Sequence, residues 1–424
     1  MNSSESLPLQ TRLKWISLAG LLAAMLGIFA YALPHLSVDR VSEHIYLGVP
    51  YRMFADRDIH IYQGDPFVEN GPHVILATTA FAFHGRSLKP MRYYNFVYSL
   101  AVVGLFFWFF FKLFDETWMR PWEIPVIALL VLSVWITIPL ILIYPIQVNG
   151  MTPGLLCFIA GLLLEKHHPR WAMIAFGFAY SCKGQFLAML PGLFLYKLLF
   201  ENRGDSIALK IRELVLCAVL YFVPATVFLT AIGWAFGLFH NREDLLAYAF
   251  RAPSILFSEF SYIIPVLMRK TASDPFAAQG RAIEYARWGF VTWLLIALSI
   301  GFCVVYAARS FFNRKESSSG PLQVPATMLA VAGIGYWINY FFFWRYPFWY
   351  NTLPMEWFNI LIIPAAIYGL KIRLSHRWTP RFAAIFLVLV ALLAGRNILR
   401  RVIIKPVFDS TSQGDSLQPY PWMK

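Results

Sequence analysis

Charge is scarce in this chain. Asp, Glu, Lys and Arg together make up 14% of its 424 residues, where a soluble domain carries about a quarter. With 58% hydrophobic residues as well, it has too little polar surface to face water throughout, and lipid must be the solvent for much of it. Cysteine is scarce too. The four present (Cys157, Cys182, Cys217, Cys303) sit inside or at the edge of apolar runs, with neither a metal spacing nor a disulfide framework. No phosphate-cradling glycine loop, GxSxG or HExxH occurs, which removes three common signatures of nucleotide, serine-hydrolase and zinc chemistry. His167 and His168 are adjacent in a basic loop with only Glu165 nearby, so they read as solvated residues rather than a metal pair. No metal and no cofactor is expected. The first apolar run lacks a small-residue cleavage site and reads as an uncleaved anchor.

Aromatics are plentiful at 17%, as suits lipid-facing surfaces and interfacial belts. The net charge of +13 falls in short connections between apolar runs, which points to loop orientation in a membrane and away from nucleic acid. The expected fold is all-α: a polytopic transmembrane bundle of about eleven spans with extracytoplasmic interfacial helices. The first span covers about 15–34, with Arg12 and Lys14 marking a cytoplasmic start. The polar stretch 36–71 follows outside, with an interfacial helix over 38–54 and a short piece at 73–83 that inserts and returns. Further spans fall near 93–114, 124–145, 151–164, 171–182, 186–200 and 213–236. After a second outer region at 237–287, the last spans lie near 289–311, 324–343, 355–370 and 382–395. This register puts Lys166, Arg170, Arg203, Lys210, Arg212, Arg309, Arg314, Lys315, Lys371 and Arg373 inside, and leaves only the 115–123 connection without basic excess. The chain divides into a membrane module over 1–312 (outer loops 36–92 and 237–287), a serine-rich linker at 313–322, and C-terminal segments over 323–424.

The informative polar residues gather at the outer face. Asp39 follows the first span closely and is either a general base for a substrate entering from the membrane or a solvated cap of the interfacial helix. Gln147 and Asn149 flank a helix end beside Pro145 and Gly150. Their amides suit sugar hydroxyls, and equally suit broken backbone. Lys183 stands where two short spans meet, as a snorkelling anchor or a point charge for a phosphate. Arg345, among Phe343, Trp344 and Tyr346, is an interfacial anchor or a second cation for the same anion.

Taken together, the first-loop acid, the interfacial helix and the run of short bent spans resemble the GT-C superfamily of lipid-dependent glycosyltransferases. The segment Gln147-Val148-Asn149, Leu163-Leu164, Ala172, Gly177, Lys183, Leu190-Pro191-Gly192 and Tyr196-Lys197 is similar to glycosyltransferase family 87. The likeness is clearest over 35–200. Asn70-Gly71-Pro72 keeps the family's Tyr-Pro-Pro only in part, and Pro354 to Asn359 replaces its late Trp-x-His-His signature. The resemblance implies a GT-C fold and a hexosyltransferase, with mannose the family's sugar. The donor would be a polyprenyl-phosphate sugar at the extracytoplasmic face of a cell inner membrane. The acceptor would be a glycolipid, glycan or protein. It makes Asp39 the catalytic base and Lys183, Gln147 and Asn149 substrate-binding residues, with Glu43, Arg345 and Arg251 beside them. Two other functions compete. A transporter or flippase of lipid-linked sugars would carry charges deep in its spans. An O-antigen polymerase or ligase would use a large outer loop, for which His240, Arg242, Arg251 and Arg281 are candidates.

Overall fold

The computed structural model describes residues 3–35, 88–116, 118–137, 151–182, 184–201, 206–235, 289–312, 322–338, 361–362, 364–368 and 379–397, with isolated helical residues at 83, 242–243 and 246. Among these every regular element is helical and no strand occurs. The longer α-helices are α1 (Ser3–His35), α2 (Leu88–Phe114), α3 (Glu123–Thr137), α4 (Met151–Leu164), α5 (Pro169–Cys182), α6 (Leu190–Tyr196), α7 (Ile207–Ala235), α8 (Gly289–Phe312), α9 (Gln323–Ile338) and α10 (Thr379–Asn397).

Two helices are long and apolar enough to cross a membrane, over Tyr93–Phe114 in α2 and Ile207–Phe228 in α7. They differ in burial, 39% of the α2 window against far less of α7. Only 17% of the α7 window is buried, and Val215, Val219, Val223 and Val227 form an exposed apolar stripe at four-residue spacing. By contrast α4 and α5 have 14 residues each. That makes them about 21 Å long, short of an apolar layer about 30 Å thick.

α1 begins well ahead of the expected span, and Lys14 is no exposed flank. It is 5% exposed, lies 3.1 Å from the Phe111 ring centroid, and pairs with Asp115 just past the end of α2. Gln10 Nε2 donates to the Phe114 carbonyl at 3.0 Å. The start of α1 and the end of α2 therefore meet, and the two helices run antiparallel. Glu123 then opens α3: its carboxylate accepts from the Arg120 amide at 2.9 Å while its own amide donates to the Arg120 carbonyl at 2.9 Å, a reciprocal cap.

The interior is built around a hairpin of α4 and α5, on which α2 and α7 pack. The crossings depend on glycine. A Cβ at Gly177 would stand 1.9 Å from the Tyr221 carbonyl oxygen, so α5 and α7 touch backbone to backbone. At the crossing of α6 and α9, a Cβ on Gly192 would meet the Val331 carbonyl at 2.5 Å, and one on Gly335 would meet the Gly192 nitrogen at 2.7 Å. Such contacts are how helices associate where lipid leaves no hydrophobic drive between them.

The stretch expected as one span over 186–200 is divided. It runs as a tight 3₁₀ turn (Gly184–Met189), then α6, then a π turn (Lys197–Glu201). Pro191 in the first helical turn cannot donate backwards, which sets where α6 begins.

Candidate functional site

The residues singled out for chemistry, Asp39, Glu43, Gln147, Asn149, Lys183, Arg251 and Arg345, lie outside the described residues. The flanks of three of them are described. Gln147 and Asn149 precede α4, and Lys183 stands between the end of α5 and the 3₁₀ turn. These flanks come together. A Cβ on Gly154 would lie 3.1 Å from the Ala179 carbonyl and 2.5 Å from the Phe186 ring, and the Cys157 and Cys182 thiols are in hydrogen-bond contact. The beginning of α4, the end of α5 and the turn after it thus share one end of the hairpin. Polar side chains line this part of the structure. Ser181 donates to the Phe178 carbonyl at 2.8 Å, and Tyr180 stacks on Tyr221 with centroids 5.9 Å apart. The Tyr221 hydroxyl is buried and has no hydrogen-bond partner among the described residues.

The other end of the hairpin holds a charge cluster. Lys197, wound inward by the π turn, donates to Glu165 Oε1 and to Glu201 Oε2. Glu165 and Lys197 are buried, at 4% and 3% exposure, whereas the Glu201 side chain is 39% exposed. Burial pushes the Glu165 carboxyl up to about 7; the Lys197 ammonium opposes that rise and the Glu201 carboxylate adds to it. Tyr196, stacked on Phe200 at 5.7 Å, lies within electrostatic reach of both carboxylates, and Tyr306 of α8 within reach of Tyr196.

This cluster was not foreseen as a site. The i,i+4 spacing of Lys197 and Glu201 is visible in the sequence, but Glu165 is 32 residues from Lys197 and reads as a loop acid. Among the described residues no group of three or more His, Cys, Asp or Glu could hold a metal ion. Comparisons with protein-family models, with curated proteins and with solved structures find no match.

Proposed function

We propose that the chain is a multi-pass inner-membrane glycosyltransferase of GT-C type, which moves a hexose from a polyprenyl phosphate to an acceptor on the extracytoplasmic face. The observation that carries this reading is the convergence at one end of the α4–α5 hairpin. The described neighbours of Asn149 and Lys183, at the start of α4, the end of α5 and the turn after it, meet there, while Leu163-Leu164 and Tyr196-Lys197 of the same likeness lie toward the other end. Amides for sugar hydroxyls and a cation for the donor phosphate belong together in such an enzyme.

The membrane part of the reading rests on the exposed apolar stripe of α7, which water would not tolerate, and on the glycine crossings. The antiparallel run of α1 and α2 supports the register of about eleven crossings. A chain that leaves α1 and enters α2 at the same end has crossed between them an even number of times or not at all.

In the proposed reaction Asp39 takes the proton of an acceptor hydroxyl, whose oxygen attacks the anomeric carbon. The bond from that carbon to the phosphate oxygen breaks, and the polyprenyl phosphate leaves with the bonding electrons. Lys183, with Arg345 or Arg251, meets the charge that grows on it.

The test is transfer by purified protein in liposomes supplied with radiolabelled polyprenyl-phosphate hexoses, native against Asp39→Asn. The amide cannot accept the proton, so the rate should fall by about 10²–10⁴-fold. Near-native turnover in that variant would remove Asp39 from the reaction. Labelled donor moving between leaflets without any transfer would favour the transporter. The buried charges of Glu165 and Lys197 speak for that second reading, but they sit at a helix end rather than at mid-depth.

A further inference from the structure

The cluster at the 165–168 turn joins one ammonium to two carboxylates, with Lys197 and Glu165 in a dry place and Glu201 at its rim. Two carboxylates face one ammonium, so with all three ionised the sum is one negative charge. Glu201, at 39% exposure, is relieved by solvent. Glu165 is not: its Oε1 is met by Lys197, its carboxyl also touches that of Glu201, and its Oε2 is buried with no hydrogen-bond partner among the described residues. An ionised oxygen in that position is costly, because nothing replaces the water it has lost.

Among the described residues, the ion pairs of the cluster involve no cation other than Lys197. Tyr196 on α6 and Cys217 on α7 lie within electrostatic reach of the cluster, with Tyr306 on α8 within reach of Tyr196 and Glu213 on α7 within reach of Cys217. On its own turn, Lys166, His167 and His168 are exposed.

We propose that Glu165 is a proton-binding site that latches the 165–168 turn to the 197–201 turn: with the proton bound the two stay closed, and on its loss they part. The proposal stands on the net charge and the partnerless oxygen, independently of the glycosyl-transfer reading. The raised carboxyl agrees in sign. A group whose pKa goes from 4.5 up to about 7 on folding binds more protons in the closed state throughout that window. Closure is then fully stabilised below the lower value and weakens as pH rises through the upper one. The dependence on pH is steepest inside the window, and neutral pH lies at its upper end, where most of the stabilisation of the closed state has already been lost.

Two measurements on the full chain in lipid nanodiscs test this. The first is infrared titration of the carbonyl stretch of a protonated carboxyl. A band with midpoint near neutrality should be lost in Glu165→Gln. In Glu201→Gln the midpoint should move to lower pH, because a like charge has gone. The second uses spin labels on His168→Cys and Leu199→Cys, in a background with the native cysteines replaced by alanine. The distance distribution should be narrow in acid and lengthen above neutrality, and stay narrow at every pH once Glu165→Gln is added. A band that survives Glu165→Gln, an unmoved midpoint in Glu201→Gln, or a label distance indifferent to pH overturns the proposal. If Glu165→Gln does not fold, the shift in Glu201→Gln still decides.

Discussion

Adding a single methyl group at Gly177 should be among the most damaging small changes this protein can suffer. The new Cβ would stand 1.9 Å from the Tyr221 carbonyl oxygen, 2.8 Å from its carbon and 3.2 Å from its Cα. All three are backbone atoms in mid-helix, so no side chain can swing away. Carbon contacts settle at about 3.5–4.0 Å, so α5 and α7 would have to part by about 1.5 Å. Overpacking alone costs about 1–3 kcal/mol. Parting the helices also loosens the ring contacts that bridge them, Phe178 on Phe228 at 5.2 Å and Tyr180 on Tyr221 at 5.9 Å. Each such pair contributes about 0.5–1.5 kcal/mol. The sum is about 2–6 kcal/mol, which at tenfold per about 1.4 kcal/mol is a loss of about 30-fold to 10⁴-fold in the folding equilibrium. The assay is thermal unfolding in detergent, followed by size-exclusion recovery, on a graded set. Gly161→Ala meets only the Phe176 ring, at 2.5–2.9 Å, and should cost less because a ring can tilt. Gly104→Ala meets nothing within 4 Å and should stay within about 0.5 kcal/mol of native. Should Gly177→Ala melt with Gly104→Ala, the direct backbone contact of α5 with α7 is wrong.

Three further outcomes are expected. Lys14→Gln removes the buried partner of Asp115 and should destabilise by about 1–2 kcal/mol, less than for a fully buried pair because Asp115 is 49% exposed. A double-mutant cycle with Asp115→Asn should return a coupling of about 0.5–1 kcal/mol, and a coupling of zero would leave the pair without consequence. In the proposed topology, single cysteines at Ser42 and Ser318 should differ, with only Ser42 labelled by an impermeant reagent in intact cells, and labelling at both would break the register. Lys183→Gln, which keeps the polarity and loses the charge, should raise the apparent donor KM and slow turnover, while unchanged donor kinetics would make the lysine an interfacial anchor.

What the sequence discloses here is local, and what it conceals is tertiary. The apolar run expected over 151–164 is α4, and the run expected over 171–182 gains two residues at its start, because Pro169 is at home in a first helical turn. The division of 184–201 was not legible. It depends on Gly192 meeting Val331 and Gly335 across the chain, a contact no window of hydropathy contains. The same holds for Lys14, whose rank as a loop cation follows from its neighbours in sequence and whose burial follows from Asp115, 101 residues on. The candidate residues of the outer loops were chosen by type and position, and the described residues reach only the flanks of Lys183 and Asn149.

The Lys14–Asp115 pair also bears on how charge orients such a chain. The 115–123 connection was the one proposed inner loop without a basic excess. Asp115 does not stand alone there, since its charge is met by a lysine from the start of α1. Orientation is set by Lys and Arg near span ends and little by acids, so an acid matched by a lysine at the same end of the bundle weighs nothing against that loop being inside. The hairpin makes a comparable separation along its length. Its α4 arm has 14 residues, so the Glu165 cluster lies about 20 Å from the end flanked by Asn149 and Lys183. At that distance two unit charges interact by about 0.8 kcal/mol at an effective dielectric of about 20, so a proton on Glu165 is felt only weakly at the far end. A larger influence of the latch on a site there must travel through packing, by way of α6 and the backbone contact of Gly192 with α9. A change at Gly192 should therefore uncouple the two ends before it alters either one's own chemistry.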